Sequence, residues 1–382
     1  MSELVHVFGE TPESLAERFV AWGLPGYRAK QVLGWVYGKG VSNLPAMTDL
    51  GKGDREVLGR KLVFERGMLV RHQRATDGVQ KLLVEWSPPT APPSAPRMDA
   101  EVAEVGGSLS LPVAGSGGGG LQTECVMIPS ENEGGGMRKT ACISSQAGCP
   151  VGCRFCASGM EGLEGNLTTG QIVEQVWRLG VLPGVGRISN VVFMGMGEPL
   201  ANLPAVTGAI RTLSAEWGLG IGARRITVST VGLPAQIRRL AALDLPITLA
   251  ISLHAPNDAL RRELIPWAEY VTVDQLIEAG RFFFEKTGRE VTLEYILLGG
   301  VNDRQEHARE LARVAKRLRS NVNLIRYNEV ESLPYERPEK GDVLGFQRVL
   351  REAGLNVHIR ASRGRDIAAA CGQLKYEAAG KG

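Results

Sequence analysis

The hydrophobic pattern of the first 62 residues is that of short amphipathic helices. Leu15, Phe19 and Val20 recur at helical spacing and share one face, and a second apolar face begins at Val32. The turn residues at positions 23–26, Gly-Leu-Pro-Gly, separate the two patterns. Residues 1–62 therefore predict a small helical domain at the amino-terminal end of the chain.

Two short apolar runs follow, and they predict strands at 81–86 and 124–128. Between these runs, residues 87–120 are rich in Pro, Gly, Ala and Ser and end in four consecutive glycines. A stretch of this composition cannot bury enough apolar surface to offset its ordering entropy. We therefore predict a β extension over residues 63–137 that carries a flexible insertion at 87–120.

From about residue 138, apolar β-branched runs alternate with helical patterns. The runs predict strands at 139–144, 189–194, 225–229, 247–252, 291–297, 322–327 and 356–359. Capping boxes, at Thr168 with Gln171 and at Asp303 with Glu306, predict the starts of two helices. Strands that alternate with helices form right-handed βα units around a parallel sheet. The pattern supplies about six such units, so we predict an α/β fold with a partial (β/α)6, TIM-like barrel over residues 138–375 and a tail at 376–382.

Composition and charge narrow the class of protein. The 382 residues include 44 Lys plus Arg and 41 Asp plus Glu, for a net charge of +3, and 43% are hydrophobic. This is ordinary globular composition, and it excludes a wholly disordered, fibrous or coiled-coil protein. No run of about 18 apolar residues predicts a membrane helix, and the chain does not start like a secretory signal. We expect a cytoplasmic protein without membrane contact, whose mildly basic charge permits a nucleic-acid partner.

Three of the six cysteines, Cys149, Cys153 and Cys156, lie within eight residues of one another. Such clustering indicates metal or redox chemistry rather than a disulfide framework. Four thiolates close a structural zinc or iron–sulfur site, whereas three leave one metal position open. A 4Fe–4S cluster on three cysteines would keep one iron free to bind a substrate or cofactor. The alternative is a structural zinc ion with Cys142 as its fourth ligand.

Polar residues follow several of the predicted strands at their carboxyl ends, where parallel βα folds place their sites. They are Gly195, Gly197 and Glu198 after the second strand, Ser229 after the third, Ser252, Leu253 and His254 after the fourth, and Asn328 after the sixth. We therefore expect the functional site at this rim of the sheet.

The spacing Cys-x3-Cys-x2-Cys at 149–156 resembles the signature of radical S-adenosylmethionine enzymes. Longer motifs are more specific, and they are CISSQAGC at 142–149, GMGEPL at 195–200, SLHAPN at 252–257 and ACGQL at 370–374. Together they resemble the RlmN/Cfr family of radical S-adenosylmethionine RNA adenine methyltransferases and occur in the family's order. The resemblance covers nearly the whole chain except residues 87–120.

This resemblance implies a cofactor site. Cys149, Cys153 and Cys156 would hold a 4Fe–4S cluster, whose open iron chelates S-adenosyl-L-methionine, and two molecules of S-adenosylmethionine would be used per turnover. The positions that match the family's contacts to this cofactor are Gly197, Glu198, Ser229, Ser252, Leu253, His254 and Asn328.

The resemblance also implies a covalent mechanism in which Cys371 carries the methyl group. The methylene formed on Cys371 would add to adenine, Glu124 would remove the ring proton, and Cys142 would attack the Cys371 sulfur. That attack forms a disulfide and releases methylated RNA. The match at Glu124 rests on its strand context alone, because this sequence departs from the family pattern on both sides of that strand.

The implied substrate is carbon 2 of an adenine in 23S rRNA and in tRNA. The implied electron donor is a flavodoxin or ferredoxin, and we expect a monomer. The amino-terminal helical domain, with basic residues such as Arg28 and Lys39, would bind RNA phosphates. Two alternatives remain open at this point. One is methylation at carbon 8, the antibiotic-resistance activity, which uses the same cysteines, and the other is a non-catalytic, zinc-stabilised RNA-binding protein.

Overall fold

The computed structural model describes residues 4–86, 120–131 and 134–374. The strands of this part of the chain are β1 (Val5–His6), β2 (Leu62–Val63), β3 (Gly67–Arg74), β4 (Gln80–Trp86), β5 (Leu121–Glu131), β6 (Met137–Cys142), β7 (Gln146–Gly148), β8 (Leu163–Asn166), β9 (Asn190–Phe193), β10 (Ile226–Thr230), β11 (Thr248–Ser252), β12 (Val291–Leu297), β13 (Ser320–Arg326) and β14 (Val357–Arg360). The α-helices are α1 (Pro12–Ala21), α2 (Arg28–Leu33), α3 (Lys52–Gly59), α4 (Thr169–Val181), α5 (Leu203–Ser214), α6 (Pro234–Ala241), α7 (Asp258–Leu264), α8 (Val273–Thr287), α9 (Gln305–Ala315) and α10 (Lys340–Glu352).

A ten-stranded sheet of order β14-β13-β12-β11-β10-β9-β6-β5-β4-β3 forms the centre of the protein. Seven strands of this sheet pair in parallel, namely β6 and β9 to β14, whereas β7 and β8 form a separate antiparallel pair. Each of the six connections between them carries at least one α-helix, which confirms the predicted βα alternation. Since β14 and β3 lie at opposite edges of this sheet, its described strands form an open, partial barrel rather than a closed one.

The parallel strands begin and end within two residues of their predicted bounds. Helices pack on the outer face of these strands, and side chains of neighbouring strands fill much of the inner face, so most of the strands are apolar runs. In β12, for example, Val291, Leu293 and Leu297 have no exposed surface. The same burial excludes water from the centre of the fold and leaves polar side chains to gather at the strand ends.

The β extension continues the sheet beyond β6 with three antiparallel strands. The two predicted strands are confirmed as β4 and β5, which extend the predictions to Gln80–Trp86 and Leu121–Glu131. β3 was not predicted, because it is an edge strand with mostly exposed residues and no apolar alternation. The predicted insertion lies outside the described residues except for Gly120, and the predicted tail at 376–382 lies outside them entirely.

The amino-terminal region contains the predicted helices and also a short parallel pair, β1 with β2, which its helical pattern does not predict. Leu15 and Phe19 are fully buried as expected, but Val20 is 65% exposed, so this member of the predicted face lies in solvent. The helices pack on α4, where the indole Nε1 of Trp177 donates to the Val36 carbonyl at 2.9 Å. The amino-terminal helices and the sheet thus share one hydrophobic core.

The two predicted capping boxes have different outcomes. α4 begins as predicted, after Thr168. The Thr168 side chain accepts the backbone N–H of Gln171, and the Gln171 side chain accepts the backbone N–H of Thr168. The box at Asp303 is wrong, because α9 begins after Arg304 and no side chain caps it. Asp303 Oδ1 instead accepts the N–H of Gly300 at 3.1 Å. Short acidic side chains often make such turns in place of a helix cap.

No helix in the described part of the chain is both long enough and apolar enough to cross a membrane.

Candidate active site

A cavity opens at the carboxyl ends of the parallel strands, where the sequence predicts the site. The predicted site residues that line it are Cys149, Cys153, Cys156, Gly197, Glu198, Ser229, Ser252, His254 and Cys371. They come from loops and strand ends that are far apart in the sequence, so the βα topology brings them together.

Cys149, Cys153 and Cys156 lie in the loop between β7 and β8, and all three are free thiols. Backbone N–H groups of Val151 and Gly197 point to the Cys149 sulfur. Burial nevertheless raises the pKa of Cys149 to about 12. A buried thiol of this kind ionises when a metal binds it, and hydrogen bonds to the sulfur then stabilise the thiolate. The loop therefore fits an iron–sulfur cluster as its ligand.

The alternative of a closed zinc site needs a fourth ligand beside the three thiols. Cys142, the fourth ligand in that alternative, does not line the cavity of the other three. A 4Fe–4S cluster instead takes one thiolate on each ligated iron, so its ligands stand farther apart than those of one ion.

Glu198 connects the loops that follow β9 and β10. Its two carboxylate oxygens accept the N–H groups of Leu200, at 3.0 Å, and of Val231, at 2.9 Å. Burial raises the pKa of Glu198 to about 7, although these hydrogen bonds oppose the shift. The neighbouring Gly197 has φ +98°, and a Cβ there would lie 2.6 Å from the Gln146 Cβ, so only glycine fits this approach.

Two hydroxyl groups face the cavity from adjacent strands. Ser229 Oγ on β10 lies 3.2 Å from Ser252 Oγ at the end of β11. The parallel pairing of β10 with β11 places them side by side. Together the pair can donate to and accept from the polar groups of one ligand.

His254 is held in one orientation at the end of β11. Its φ of 59° is in the left-handed region, and its Nδ1 accepts the N–H of Ile296 at 3.1 Å. Asn302 Nδ2 donates to the His254 carbonyl at 2.9 Å. Burial lowers the pKa of His254 to about 3. The imidazole is therefore neutral, with its proton on Nε2, and it can donate that proton to a ligand in the cavity.

A second cavity adjoins the first, and it contains Cys142 and Asn328. Asn328 is therefore not in the first cavity, although its Nδ2 donates to the Cys371 carbonyl at 3.4 Å. Cys371 lines both cavities. Leu253 lines neither and is fully buried in the hydrophobic core. Its side chain is thus a packing element, although its neighbours Ser252 and His254 both line the first cavity.

Glu124 is buried in the β extension and also lines neither cavity. Its Oε1 lies 2.8 Å from Lys81 Nζ. Side chains alternate along a strand, so Glu124 shares a face of β5 with Val126, which pairs with Cys142 on β6. The predicted base is therefore on the same side of the sheet as the second cavity.

Two charged residues at the cavities, Glu294 and Arg360, are not among the residues that the sequence predicts for the site. Glu294 lies on β12, is 3% exposed and lines the first cavity. Arg360, the last residue of β14, lines both cavities. One observation that could have revealed Glu294 is a lone carboxylate inside the apolar run of residues 291–297, since unpaired charges are rarely buried.

The chain resembles known protein families and individual proteins over most of its length. The model of the radical SAM superfamily matches residues 143–312, and that of the ribosomal RNA large subunit methyltransferase N-terminal domain matches residues 5–63. The chain is 43% identical to a probable dual-specificity RNA methyltransferase RlmN of Gloeobacter violaceus, covering 97% of this chain and 94% of the relative. The corresponding protein of Rhodopirellula baltica is 38% identical, with 97% and 90% covered.

A solved structure shares the whole architecture. The crystal structure of a radical SAM methyltransferase from Sphaerobacter thermophilus superimposes with a TM-score of 0.84 at 38% sequence identity. The match covers 97% of this chain and 99% of that one. The amino-terminal region, the β extension and the partial barrel therefore recur together in a protein of similar sequence.

Proposed function

The chain belongs to the RlmN family of radical S-adenosylmethionine RNA methyltransferases, and on this premise we propose that it methylates carbon 2 of an adenine in 23S rRNA and in tRNA. Membership also makes a 4Fe–4S cluster and S-adenosylmethionine its cofactors. Carbon 2 lies between two ring nitrogens and is electron-poor, so it is a poor nucleophile and requires a radical route.

The observation that carries the proposal is the position of Cys371 between the two cavities. On one side it faces the cavity of Cys149, Cys153 and Cys156. On the other it faces the cavity of Cys142. A thiol in this place can receive a methyl group from a molecule in the first cavity and pass it to a base that enters near the second.

These positions support the following roles for the residues. When bound, the cluster and S-adenosylmethionine supply an electron, a methyl group and a hydrogen-abstracting radical. Cys149, Cys153 and Cys156 bind the cluster, while Glu198, Ser229, Ser252 and His254 orient S-adenosylmethionine with the backbone of Gly197 and Leu253. Asn328 fixes the backbone of Cys371.

Cys371, Glu124 and Cys142 act on the RNA base in turn. Cys371 carries the one-carbon group, and the Glu124 carboxylate accepts the ring proton. The Cys142 thiolate then attacks the Cys371 sulfur and an S–S bond forms. The bond between the Cys371 sulfur and the methylene carbon breaks with its electron pair on that carbon, which takes up a proton and becomes the methyl group on the base. An external reductant must then reopen this disulfide to restore both thiols before the next turnover.

The rest of the proposal concerns how the RNA binds, which region of the chain binds it, and which protein donates electrons. An adenine inside an RNA stack cannot reach the strand ends, so the target must be unpaired or flipped out. We assign the helical domain of residues 1–62 to RNA binding, residues 63–137 to a β extension, and residues 138–375 to the barrel. A flavodoxin or ferredoxin would supply electrons, and the enzyme would act as a cytoplasmic monomer.

Nucleoside mass spectrometry tests the proposal. The reconstituted enzyme is incubated with S-adenosylmethionine, a reductant and transcripts of 23S rRNA or tRNA, and the digested RNA is compared with 2-methyladenosine and 8-methyladenosine standards. We expect 2-methyladenosine, and none with Cys371→Ala. Formation of 8-methyladenosine would instead establish the antibiotic-resistance activity. The absence of any methylated adenosine with active, cluster-loaded enzyme would overturn the proposal.

A further inference from the structure

The turn between β3 and β4, residues 75–79, contacts the loop that carries Cys371. We call residues 361–374, which follow β14, the Cys371 loop. The backbone N–H and the hydroxyl of Thr76 both donate to Asp366 Oδ2, at 2.9 and 3.1 Å. In the opposite direction, the N–H of Gly364 donates to Asp77 Oδ2 at 2.9 Å. The turn and the Cys371 loop thus each provide one carboxylate that accepts a backbone N–H of the other.

Apolar contacts accompany these hydrogen bonds. Val79 is fully buried and belongs to a small cluster with Ala369, Leu374 and Cys142. Gly364 has φ +66°, and a Cβ there would lie 2.8 Å from Val79 Cγ1. The close approach of the turn to the loop therefore requires glycine at this position.

Lys81 extends this contact to the proposed base. Its ammonium lies 2.8 Å from Glu124 Oε1 and donates to the Ala368 carbonyl at 3.2 Å. The two side chains of the ion pair are 7% and 6% exposed. Ala368 has φ +48°, an unfavourable conformation for a residue with a Cβ, and the bond from Lys81 helps to hold it.

A buried ion pair is not needed to stabilise a hairpin. Removing two charges from water costs much of what their attraction returns, and apolar residues of similar size often replace such pairs without loss of stability. The stability of the hairpin therefore does not explain the pair between Lys81 and Glu124. Lys81 also donates to the Ala368 carbonyl in the Cys371 loop, and this contact suggests a role in positioning that loop.

We propose that the β3–β4 hairpin positions the Cys371 loop relative to Glu124, with Lys81 as the positioning residue that contacts both. The inference rests on the proposed function, in which Cys371 carries the methyl group and Glu124 is the base. It assigns a role to a part of the chain, residues 64–142, that neither matching family model covers. One ammonium group thus fixes the distance between the methyl carrier and the proton acceptor.

The proposal separates two halves of the reaction. Methylation of the Cys371 thiol does not involve Glu124, so it should proceed without Lys81. Removal of the ring proton breaks a C–H bond, leaves its electron pair in the ring and transfers the proton to Glu124. This second half depends on the position of the carboxylate, and small misplacements of reacting groups cost large factors in rate.

The test compares Lys81→Met and Lys81→Arg with wild type and Glu124→Gln in single-turnover reactions. Intact-protein mass measures methyl-Cys371, nucleoside mass spectrometry measures methylated adenosine, and a denaturing gel detects a covalent protein–RNA species. For Lys81→Met we expect methyl-Cys371 within about twofold of wild type, methylated adenosine lower by about tenfold or more, and accumulation of the covalent species. Lys81→Arg keeps the charge and should restore most of the methylated adenosine.

Asp366→Ala provides a second variant at an exposed position, should Lys81→Met not fold. Its matched control is Asp274→Ala, which removes another exposed carboxylate, one paired with Arg317. We expect slower RNA methylation for Asp366→Ala and an unchanged rate for Asp274→Ala. Unchanged methylation in Lys81→Met or Asp366→Ala, with Glu124→Gln inactive, would overturn this inference and leave the proposed function intact. Absence of methylated adenosine with the wild type would overturn both.

Discussion

Arg360 and Glu294 form an ion pair at the boundary of the two cavities, with Nη1 of Arg360 3.7 Å from Oε2 of Glu294. Nη1 also donates to Met194 Sδ at 3.2 Å. The guanidinium is the nearby positive charge for both proposed reactive thiols. Burial raises the pKa of Cys142 to about 12, and Arg360 acts against this shift. Arg360 opposes the effect of burial on Cys371 in the same way.

Replacing Arg360 should therefore slow the attack of Cys142 on the Cys371 sulfur. Arg360→Met removes the charge that favours the thiolate, so the pKa of Cys142 rises further and less thiolate is present at any pH. Decay of the covalent protein–RNA species should be slower than in wild type between pH 7 and pH 9 and should still accelerate as the pH rises. Arg360→Lys is the control that keeps the charge. Equal decay rates in wild type and Arg360→Met would contradict this account.

Replacing Cys371 and replacing Cys142 should give different reaction products. Cys371→Ala leaves no thiol to carry the methyl group, so the RNA should remain unmodified and unattached. Cys142→Ala leaves methylation of Cys371 and addition to adenine intact but removes the resolving thiolate. A protein–RNA adduct should then accumulate and disappear on nuclease treatment, as seen on a denaturing gel.

Cys125→Ala is the matched control for both variants. Cys125 is fully buried in the main hydrophobic core, and it lines neither of the two cavities. Its truncation should cost about 1 kcal/mol of stability and leave RNA methylation unchanged. An adduct with Cys371→Ala, or normal turnover with Cys142→Ala, would show that the assigned roles are wrong.

Cys153→Ala should lose the iron–sulfur cluster. Two remaining thiolates at this loop, Cys149 and Cys156, cannot hold four irons with only one left open. Analysis of the anaerobically purified variant should show that iron and sulfide are lost. The visible absorbance of the cluster and the cleavage of S-adenosylmethionine should be lost with them. Cys125→Ala should retain all of them. Full iron and sulfide content in Cys153→Ala would refute its assignment as a ligand.

Glu198 should make the cofactor-free enzyme less stable as the pH rises. Its folded-state pKa, about 7, lies above the ordinary value of 4.5. The folded state therefore binds the proton more tightly, so its stabilising contribution is complete below about pH 4.5 and is lost as the pH rises through about 7. Glu198→Gln does not titrate. The free energy of unfolding can be measured with denaturant for both proteins at pH 5 and at pH 8. Between these two pH values, the difference in unfolding free energy should change in favour of Glu198→Gln by up to about 3 kcal/mol. A constant difference in unfolding free energy would contradict the raised pKa.

How much of this molecule the sequence predicts depends on whether an interaction is local. The parallel strands are apolar runs, and their order along the chain indicates a sheet with its site at the strand ends. The edge strand β3 carries mostly exposed residues and gave no such pattern. The pairing of Glu294 with Arg360, and of Lys81 with Ala368, joins residues far apart in sequence. No spacing rule predicts these contacts, because they depend on how the sheet and the final loop pack.

The insertion can be replaced by a two-residue turn, since Trp86 and Leu121 are cross-strand partners at its two ends. We propose the sequence Trp86-Asn-Gly120-Leu121, in which one Asn replaces residues 87–119. Asn-Gly is the preferred pair for a tight hairpin. Gly120 stays, because the second central residue of this turn needs a positive φ, which glycine adopts without strain. Glu124 and Lys81 lie farther along the same two strands, so their pairing should be unaffected.

The shortened protein should retain RNA methylation and become more stable. The entropy cost of closing a loop grows with the logarithm of its length, so a loop shortened this much should add about 2 kcal/mol to the free energy of unfolding. Denaturant unfolding and nucleoside mass spectrometry measure the two quantities. The control is the same hairpin with Gly120→Ala, which should lose much of the gain because alanine disfavours the positive φ of this turn position. If the shortened protein folds but no longer methylates RNA, residues 87–119 contribute to RNA binding, and their composition is a poor guide to their role.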